Sequence, residues 1–282
     1  VASSSVTKPA SRTRAQACQP VLALPDPKHT RGTDVLYGRV HPYDPGRFPE
    51  IEEQLDAIIE TYYRQRDLNA QYGWINFGDV YNTGGLWRRW ASMFYGFPNL
   101  MPRLYLRSGR RDAWDFHRVN TRHITDIDIC HLDKDDAEIS YLKKEKGRRY
   151  GGNGCICHYA ANLYKASCDH HLDFMLLDYY LNGNLRAREV ARYYLDVHAA
   201  ARDHEPSMTE YAHRDTGGIL RLFCEGYRAF RDPVYLSVMR QVADMLYNAP
   251  EPFSTTRYMD VYMNPAKVLY YQITGEERML EQ

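Results

Sequence analysis

The sequence predicts an all-α fold built from helical hairpins, each pairing a buried inner helix with a solvent-facing outer helix. Two observations predict it: an apolar segment is followed by a tight turn and an amphipathic segment, and this order recurs along the chain. The clearest copy runs from Cys168 to Arg202. Its segment 172–181 is apolar on nearly all sides, which is typical of a helix packed inside a protein, and Asp169 is placed to cap it.

The second helix of this copy follows the turn at Asn182-Gly183-Asn184 and has charged residues opposite an apolar stripe. That pattern predicts an outer helix that faces water. The predicted buried stripe comprises Leu185, Val190, Ala191, Tyr194, Leu195 and Ala199.

The hairpin recurs before and after this copy, so internal repetition organises the chain. The other turns are predicted at Gly109, at Arg231-Asp232-Pro233 and at Gly275. Asp232 suits the N-cap of the restarting helix, and Pro233 suits its first position.

The two ends of the chain suggest a fragment of a longer protein. Residues 49–67 predict an outer helix with no inner partner before it, and the last hairpin is cut at Gln282. The predicted apolar face of the first helix comprises Ile51, Leu55, Ile58, Ile59 and Tyr62. We therefore assign 1–46 to a linker, or to the tail of a missing upstream domain, and 47–282 to the helical hairpins.

Composition excludes several classes of partner. The 282 residues carry 36 basic and 36 acidic side chains, so no basic face points to nucleic acid. No apolar run reaches the roughly 18 residues of a membrane span, so no membrane partner is expected. Six cysteines are spread too thinly for a disulfide scaffold and do not identify a compartment.

Stacked hairpins bring one set of loops to a common edge, because the end of each outer helix and the start of the next inner helix lie at the same end. We call this edge the rim. The short turns fall at the other end. The segments predicted at the rim are 72–85, 126–166, 169–171, 210–215 and 257–260, and they are enriched in His, Tyr, Asn and Gly residues.

Three motifs resemble a known family, the exo-rhamnogalacturonan lyase and YetA-like proteins. They are Gly73-Trp-Ile-Asn-Phe-Gly-Asp79, Arg107-Ser-Gly-Arg-Arg-Asp112 followed by Asp126-Ile-Asp-Ile-Cys-His131, and a His-rich loop before the helix that ends Asp178-Tyr-Tyr-Leu-Asn-Gly183. The resemblance covers about residues 70–282 and corresponds to the family's central domain. It implies an (α/α) toroid, here incomplete, with a β-rich domain of the full-length chain missing before it.

The resemblance also implies β-elimination on an acidic pectic polysaccharide or oligosaccharide, with action in an extracellular or periplasmic location. Elimination from a uronic acid needs a group that neutralises the carboxylate, a base for the C5 proton and an acid for the leaving oxygen. From local chemistry we predict a base in His158 or His170, an acid in Tyr159 or Tyr211, and a carboxylate clamp in Arg214 or Arg257, with His213 beside them.

Substrate-binding residues are predicted from the same loops. They comprise Trp74, Asn76, Asp79, Tyr81, Asn82, His131, His171, Arg257 and Tyr258. Trp74 and Tyr81, together with Trp87 and Tyr95, offer rings for sugar faces. The tyrosines at helical spacing are predicted instead to pack between helices: Tyr62, Tyr179, Tyr180, Tyr193, Tyr194, Tyr270 and Tyr271. The competing interpretation of the polar loop residues is that they cap helices or bond to carbonyl groups.

Other functions remain open at this point. Glycoside hydrolysis needs two carboxylates, which could come from Asp79, Asp169, Asp173, Asp215 and Glu225, although Asp169 and Asp215 suit helix caps better. No cofactor is predicted. Zinc is an alternative at Cys155, Cys157, His158, Cys168, His170 and His171, and calcium at the acidic run 126–136, but neither spacing fits a familiar site. A non-catalytic glycan- or protein-binding helical repeat is the last alternative.

Overall fold

The computed structural model describes residues 26, 40–72, 78, 81–82, 89–90, 94–129, 131, 171–200, 212–248 and 260–280. Within these ranges the chain forms eight α-helices: α1 Pro49–Leu68, α2 Leu100–Ser108, α3 Arg111–His123, α4 Asp173–Asn182, α5 Leu185–Ala200, α6 Ala212–Phe230, α7 Pro233–Tyr247 and α8 Asp260–Thr274. None of these helices is long and apolar enough to cross a membrane.

Shorter elements accompany the helices. A 3-10 helix at Phe94–Asn99 leads into α2, a π-helical turn at Ile124–Asp128 extends α3, and a 3-10 turn at Glu277–Leu280 follows α8. A two-residue antiparallel ladder pairs β1 Tyr81–Asn82, which lies in the predicted loop 72–85, with β2 Arg89–Trp90, which follows that loop. The all-α assignment stands, because the ladder is too short to form a layer of its own.

The four predicted turns share one backbone conformation. The turn residue is left-handed in each, with φ of 72° at Gly109, 70° at Gly183, 54° at Arg231 and 74° at Gly275. In each turn its amide donates a 2.8 Å hydrogen bond to the carbonyl of a tyrosine four residues earlier, namely Tyr105, Tyr179, Tyr227 and Tyr271. A left-handed residue after the last helical turn ends a helix. The hairpins are therefore copies of one structural unit, as the sequence predicted.

Side-chain caps start the outer helices after two of these turns. Asp232 accepts a hydrogen bond from the amide of Val234, which confirms its predicted N-cap role. Asn184 accepts one from the amide of Ala187 at the start of α5. Both residues satisfy amides that have no partner within their own helix.

The apolar core has two parts that meet at α4. One cluster joins α4 to α5, α6, α7 and α8 and includes Phe174, Met175 and Leu176. The other joins α1, α2 and α3 and takes Leu177 from α4. A helix that is apolar on nearly all sides can pack on both, which confirms that α4 is an inner helix.

The first outer helix packs on the α2–α3 hairpin. Ile59 and Tyr62 are buried there, and the centroids of the Tyr62 and Phe116 rings are 3.8 Å apart. Glu52 of α1 is buried beside Arg107 at the end of α2, and Arg107 also donates to the carbonyl of His41. The end of the predicted linker is thus bound to the first hairpin.

Three packing predictions were wrong. Ile51 and Leu185 are exposed, although both belong to apolar stripes in the sequence. Each lies in the first turn of an outer helix, where the neighbouring helices do not cover the stripe. Tyr180 is also exposed, because it lies on the side of α4 that neither core cluster covers.

Candidate functional site

The start of the inner helix α4 is held by side chains from the neighbouring inner segments. The amide of Leu172 donates to Glu225 Oε2 of α6 at 3.0 Å, and the amide of Phe174 donates to Asn99 Oδ1, just before α2, at 3.0 Å. Leu172 itself occupies the N-cap and provides no side-chain cap. The predicted cap at Asp169 is therefore wrong, because the helix starts later and its amides are satisfied by residues distant in sequence.

A group of four charged residues surrounds this helix start, and we call it the inner-helix charge cluster: Arg103, Asp173, Arg221 and Glu225. Asp173 is the first residue of α4, and its Oδ2 accepts hydrogen bonds from Arg103 of α2 and, at 3.0 Å, from Arg221 of α6. Arg221 Nε also donates to Glu225 Oε1 at 2.6 Å. Three inner helices are thereby joined by charge-assisted hydrogen bonds.

Burial makes the two acids of the cluster unequal. Burial of Glu225, and after it the charge of Asp173, raises the pKa of Glu225 to about 8, against the opposing effect of Arg221. Two adjacent carboxyl groups do not both ionise easily in a low dielectric. The raised pKa favours the form in which Glu225 holds a proton, and in that form two guanidinium groups face one carboxylate. The cluster carries a net positive charge in this state.

The cations of the cluster reach solvent and its acids do not. The side chains of Arg103 and Arg221 are 29% and 21% exposed, whereas those of Asp173 and Glu225 are 4% and 0% exposed. The buried acids therefore fix the guanidinium groups from behind. The exposed parts of the two guanidinium groups are the parts of the cluster that an anion can approach from solvent.

Two glycines each lie close against another segment of the chain. A Cβ on Gly96 would lie 2.9 Å from the ring of His171, so the 3-10 helix before α2 packs directly on this histidine. Gly78 accepts a hydrogen bond from Asn120 Nδ2 at 2.6 Å, and a Cβ there would lie 2.4 Å from the carbonyl oxygen of Val119. Gly78 and His171 belong to two of the segments predicted at the rim, 72–85 and 169–171. Gly78 packs near the end of α3, and His171 packs on the 3-10 helix before α2.

His131 was predicted to bind substrate at the rim, but it lies beside α5. His131 stacks on Tyr193 of α5 with ring centroids 5.3 Å apart, and its Nε2 lies 2.6 Å from the carbonyl oxygen of Thr125 and 3.5 Å from Arg186. Arg186 belongs to the first turn of α5, beside the short turn at Gly183. The end of α3 therefore lies next to a turn of the following hairpin, which the idealised stacking did not anticipate.

The segment 210–215 was predicted as a loop, but the structure extends α6 back to Ala212. His213 and Arg214 lie in the first turn of α6, and Asp215 is also within the helix, so its predicted role as a cap is wrong. Tyr81 and Asn82 form β1. The remaining predicted site residues lie outside the described ranges: His158, Tyr159, His170, Tyr211, Trp74, Asn76, Asp79, Arg257 and Tyr258.

Two of the carboxylates considered for glycoside hydrolysis, Asp173 and Glu225, come together at the site. Arg221 donates to both, through Nη2 to Asp173 and through Nε to Glu225. Their side chains are 4% and 0% exposed, so both acids are buried behind that guanidinium, whereas a hydrolytic pair flanks the scissile bond.

The described part of the acidic run does not converge on a cation. Asp126 pairs with Arg186 at 3.3 Å, whereas Asp128 is buried beside His123 at 3.3 Å. Within the described ranges, no group of three or more His, Cys, Asp or Glu side chains is arranged to hold a metal ion. The zinc candidates other than His171 lie outside those ranges.

Sequence reasoning missed Arg103 and Arg221 as site residues. Their signal is a charge inside an otherwise apolar helix, as in Ile219-Leu-Arg-Leu-Phe-Cys-Glu225, where Arg and Glu stand four residues apart. A charged pair at that spacing in a buried helix requires partners on neighbouring helices.

Comparison with known proteins agrees with this architecture. Residues 20–135 match the model of the PcRGLX-like protein C-terminal alpha/alpha toroid domain. The fold is an (α/α) toroid. The matched model describes a C-terminal domain, whereas the resemblance had implied a central one.

A curated relative is also similar to this chain. The uncharacterized protein YetA of Bacillus subtilis (strain 168) is 28% identical over 197 residues, which cover 64% of this chain and 21% of YetA. The chain thus spans about a fifth of the length of this relative.

Proposed function

We propose that the chain is the toroid domain of a carbohydrate-active enzyme that cleaves a uronic-acid-containing, rhamnogalacturonan-type glycan by β-elimination. The observation that carries the proposal is the inner-helix charge cluster, in which buried acids hold two partly exposed arginines beside the start of an inner helix. The match of residues 20–135 to a PcRGLX-like toroid supports the same class of protein.

The chemistry of elimination explains why such a cluster is useful. A base removes the proton at C5, the electron pair forms the C4–C5 double bond, and the glycosidic oxygen at C4 leaves with a proton from an acid. Negative charge accumulates on the uronate carboxylate during this step. Guanidinium groups that are fixed before the reaction stabilise that charge without reorganising. Arg103 and Arg221 meet this requirement.

The loop residues supply the remaining roles in the proposal. His158 or His170 acts as the base, and Tyr159 or Tyr211 as the acid. Arg214 or Arg257 assists in binding the carboxylate. His213, in the first turn of α6, lies next to Arg214 in sequence. These roles need a histidine or phenol whose pKa allows proton transfer near neutral pH.

The first test compares two arginine variants on rhamnogalacturonan, by the ultraviolet absorbance of the new double bond. We expect Arg103→Gln to lower kcat/KM by about 10²–10³-fold, which is typical for removal of one fixed donor to a developing anion. Arg240→Gln is the matched control, since Arg240 is exposed on α7, an outer helix. Its activity should stay within about twofold of wild type, and thermal unfolding of both variants would verify that they fold.

Other outcomes identify the alternatives. New reducing ends without a double bond would favour glycoside hydrolysis. Glycan binding without turnover would favour a non-catalytic binding domain. If Arg103→Gln retains full activity on a glycan that the wild type cleaves, Arg103 does not stabilise the carboxylate. If His158→Ala and His170→Ala both retain full activity, neither histidine is the base.

A further inference from the structure

A polar cavity lies between α3, an outer helix, and the turn that joins α4 to α5. We call it the outer cleft. Its volume is about 410 Å³, and its lining includes Arg118, Arg122, Asp178, Asn182 and Arg186. This volume falls at the small end of the range of about 300–1,000 Å³ that is usual for small-molecule sites.

Three arginines and three aspartates line the outer cleft. Two of the arginines, Arg122 and Arg186, pair with Asp126 at 3.7 and 3.3 Å. Asp115 pairs instead with Arg111, at 3.1 Å. Arg118 is exposed, and within the described ranges no ion pair joins it to another residue, so its guanidinium is available to an anion in the cleft. Guanidinium groups bind carboxylates and phosphates in a bidentate manner.

Asp178 lines the same cleft and is an unusual residue to find there. It is 2% exposed, its Oδ2 accepts from the side-chain Nδ2 of Asn184, and its Oδ1 has no hydrogen-bond partner among the described residues. The Nε2 atom of His117 stands 3.8 Å from that oxygen and also has no partner. Burial lowers the pKa of His117 to about 3 and raises the pKa of Asp178, so the two do not form an ion pair near neutral pH.

A buried polar atom without a partner is costly, and native proteins rarely leave one without a purpose. The side-chain amides of Asn182 and Asn184, which line the cleft beside this carboxyl group, can exchange hydrogen bonds with the hydroxyl groups of a ligand. The residues that line the cleft include no aromatic side chain, which argues against a nucleobase or another flat apolar ligand. The lining favours a compact ligand that combines an anionic group with hydroxyls.

We propose that the outer cleft is a second saccharide site that binds a single sugar acid, with its carboxylate on Arg118 and Arg186 and its hydroxyls toward Asp178 and Asn182. The choice of a sugar acid among anionic polyols rests on the proposed function. The site is separate from the inner-helix charge cluster in its residues, and it would hold a glycan against the outer wall rather than cleave it.

The test measures binding of the monosaccharide D-galacturonate by calorimetry to the whole protein. We expect Arg118→Gln to weaken binding at least tenfold, and Arg118→Gln with Arg186→Gln to abolish it. Arg240→Gln should leave the affinity unchanged. Neutral galactose, which lacks the carboxylate, should bind at least tenfold more weakly than D-galacturonate. Asp178→Asn keeps the shape of the side chain. It should weaken the binding of D-galacturonate more than the binding of inorganic phosphate.

The Arg103→Gln variant separates this proposal from the proposed function. If D-galacturonate binding is lost in Arg103→Gln but retained in Arg118→Gln, the ligand occupies the inner surface and the outer cleft is not a sugar site. Absence of D-galacturonate binding, or equal affinity for inorganic phosphate and D-galacturonate, would also overturn the proposal. Neither outcome affects the elimination assay.

Discussion

Glu225 is buried on an inner helix between an arginine and another acid, and this environment determines how it titrates. Its two oxygens are occupied by the amide of Leu172 and by Arg221. Burial and Asp173 raise the pKa to about 8. A group whose pKa is raised in the folded state favours folding while it is protonated. Its contribution is complete below the unfolded pKa and is lost as the pH rises through the folded pKa.

Replacing Glu225 with glutamine should therefore flatten the dependence of stability on pH. Glu225→Gln keeps an acceptor for Leu172 and cannot ionise. Relative to this variant, the wild type should lose at least about 1.4 kcal/mol of unfolding free energy between pH 5 and 9, the equivalent of one pKa unit. Urea unfolding of both proteins across this pH range measures that loss of unfolding free energy. Glu189→Gln, at an exposed position of α5, is the control and should follow the wild type. Parallel curves for Glu225→Gln and the wild type would contradict the raised pKa.

At the scale of the elements, the turns between helices are the most regular feature of the chain. Gly109, Gly183, Arg231 and Gly275 all adopt left-handed conformations with the same hydrogen bond to a tyrosine. A residue with a Cβ is strained in that conformation by about 1–2 kcal/mol, and glycine is not. Arg231 has a Cβ and adopts this conformation nonetheless. Its guanidinium lies 5.5 Å from the centre of the Tyr227 ring.

Gly183→Ala isolates the cost of the left-handed conformation. No atom lies within 4 Å of the Cβ position, so the substitution creates no clash. We expect a loss of about 1 kcal/mol in the free energy of unfolding. Gly46→Ala is the control, because its Cβ would meet Asp44 Oδ1 at an ordinary 3.5 Å and its φ lies outside the left-handed range. Its effect should stay within about 0.5 kcal/mol by urea unfolding. Equal losses in the two variants would show that φ is not the cause.

The elements also show which features a sequence can predict. Turns and outer helices were predictable because their signals are local: a glycine that needs positive φ, an Asp232 cap, an apolar stripe. The start of α4 was not, because its amides are satisfied by Asn99 and Glu225, which are 75 and 53 residues away from their donors. The charge cluster was missed for the same reason, since Arg103 and Asp173 are 70 residues apart. Periodicity contains no information about such pairs.

At the scale of the whole molecule, α4 connects two apolar clusters. Leu177 belongs to the cluster of α1, α2 and α3, whereas Leu176 belongs to the cluster of α5 to α8. Both leucines are buried. Native proteins open in cooperative parts that often follow such packing units. The two adjacent leucines should therefore stabilise different parts of the toroid.

Leu177→Ala and Leu176→Ala form a matched pair that tests this division. Each should cost about 2–5 kcal/mol, as is usual for a buried leucine. In native-state hydrogen exchange, Leu177→Ala should reduce protection mainly in α1 to α3. Leu176→Ala should reduce protection mainly in α5 to α8. Identical protection patterns in the two variants would mean that the toroid opens as a single unit.

The repeated left-handed turn has a consequence for engineering. The geometry at Gly109, Gly183, Arg231 and Gly275 is constant, while the stretches of chain between successive turns shorten from the first pair to the last. The hairpins therefore differ in the length of the connections between the turns and not in the turns themselves. A designer could insert foreign segments into the long connections and leave the sequence of every turn unchanged.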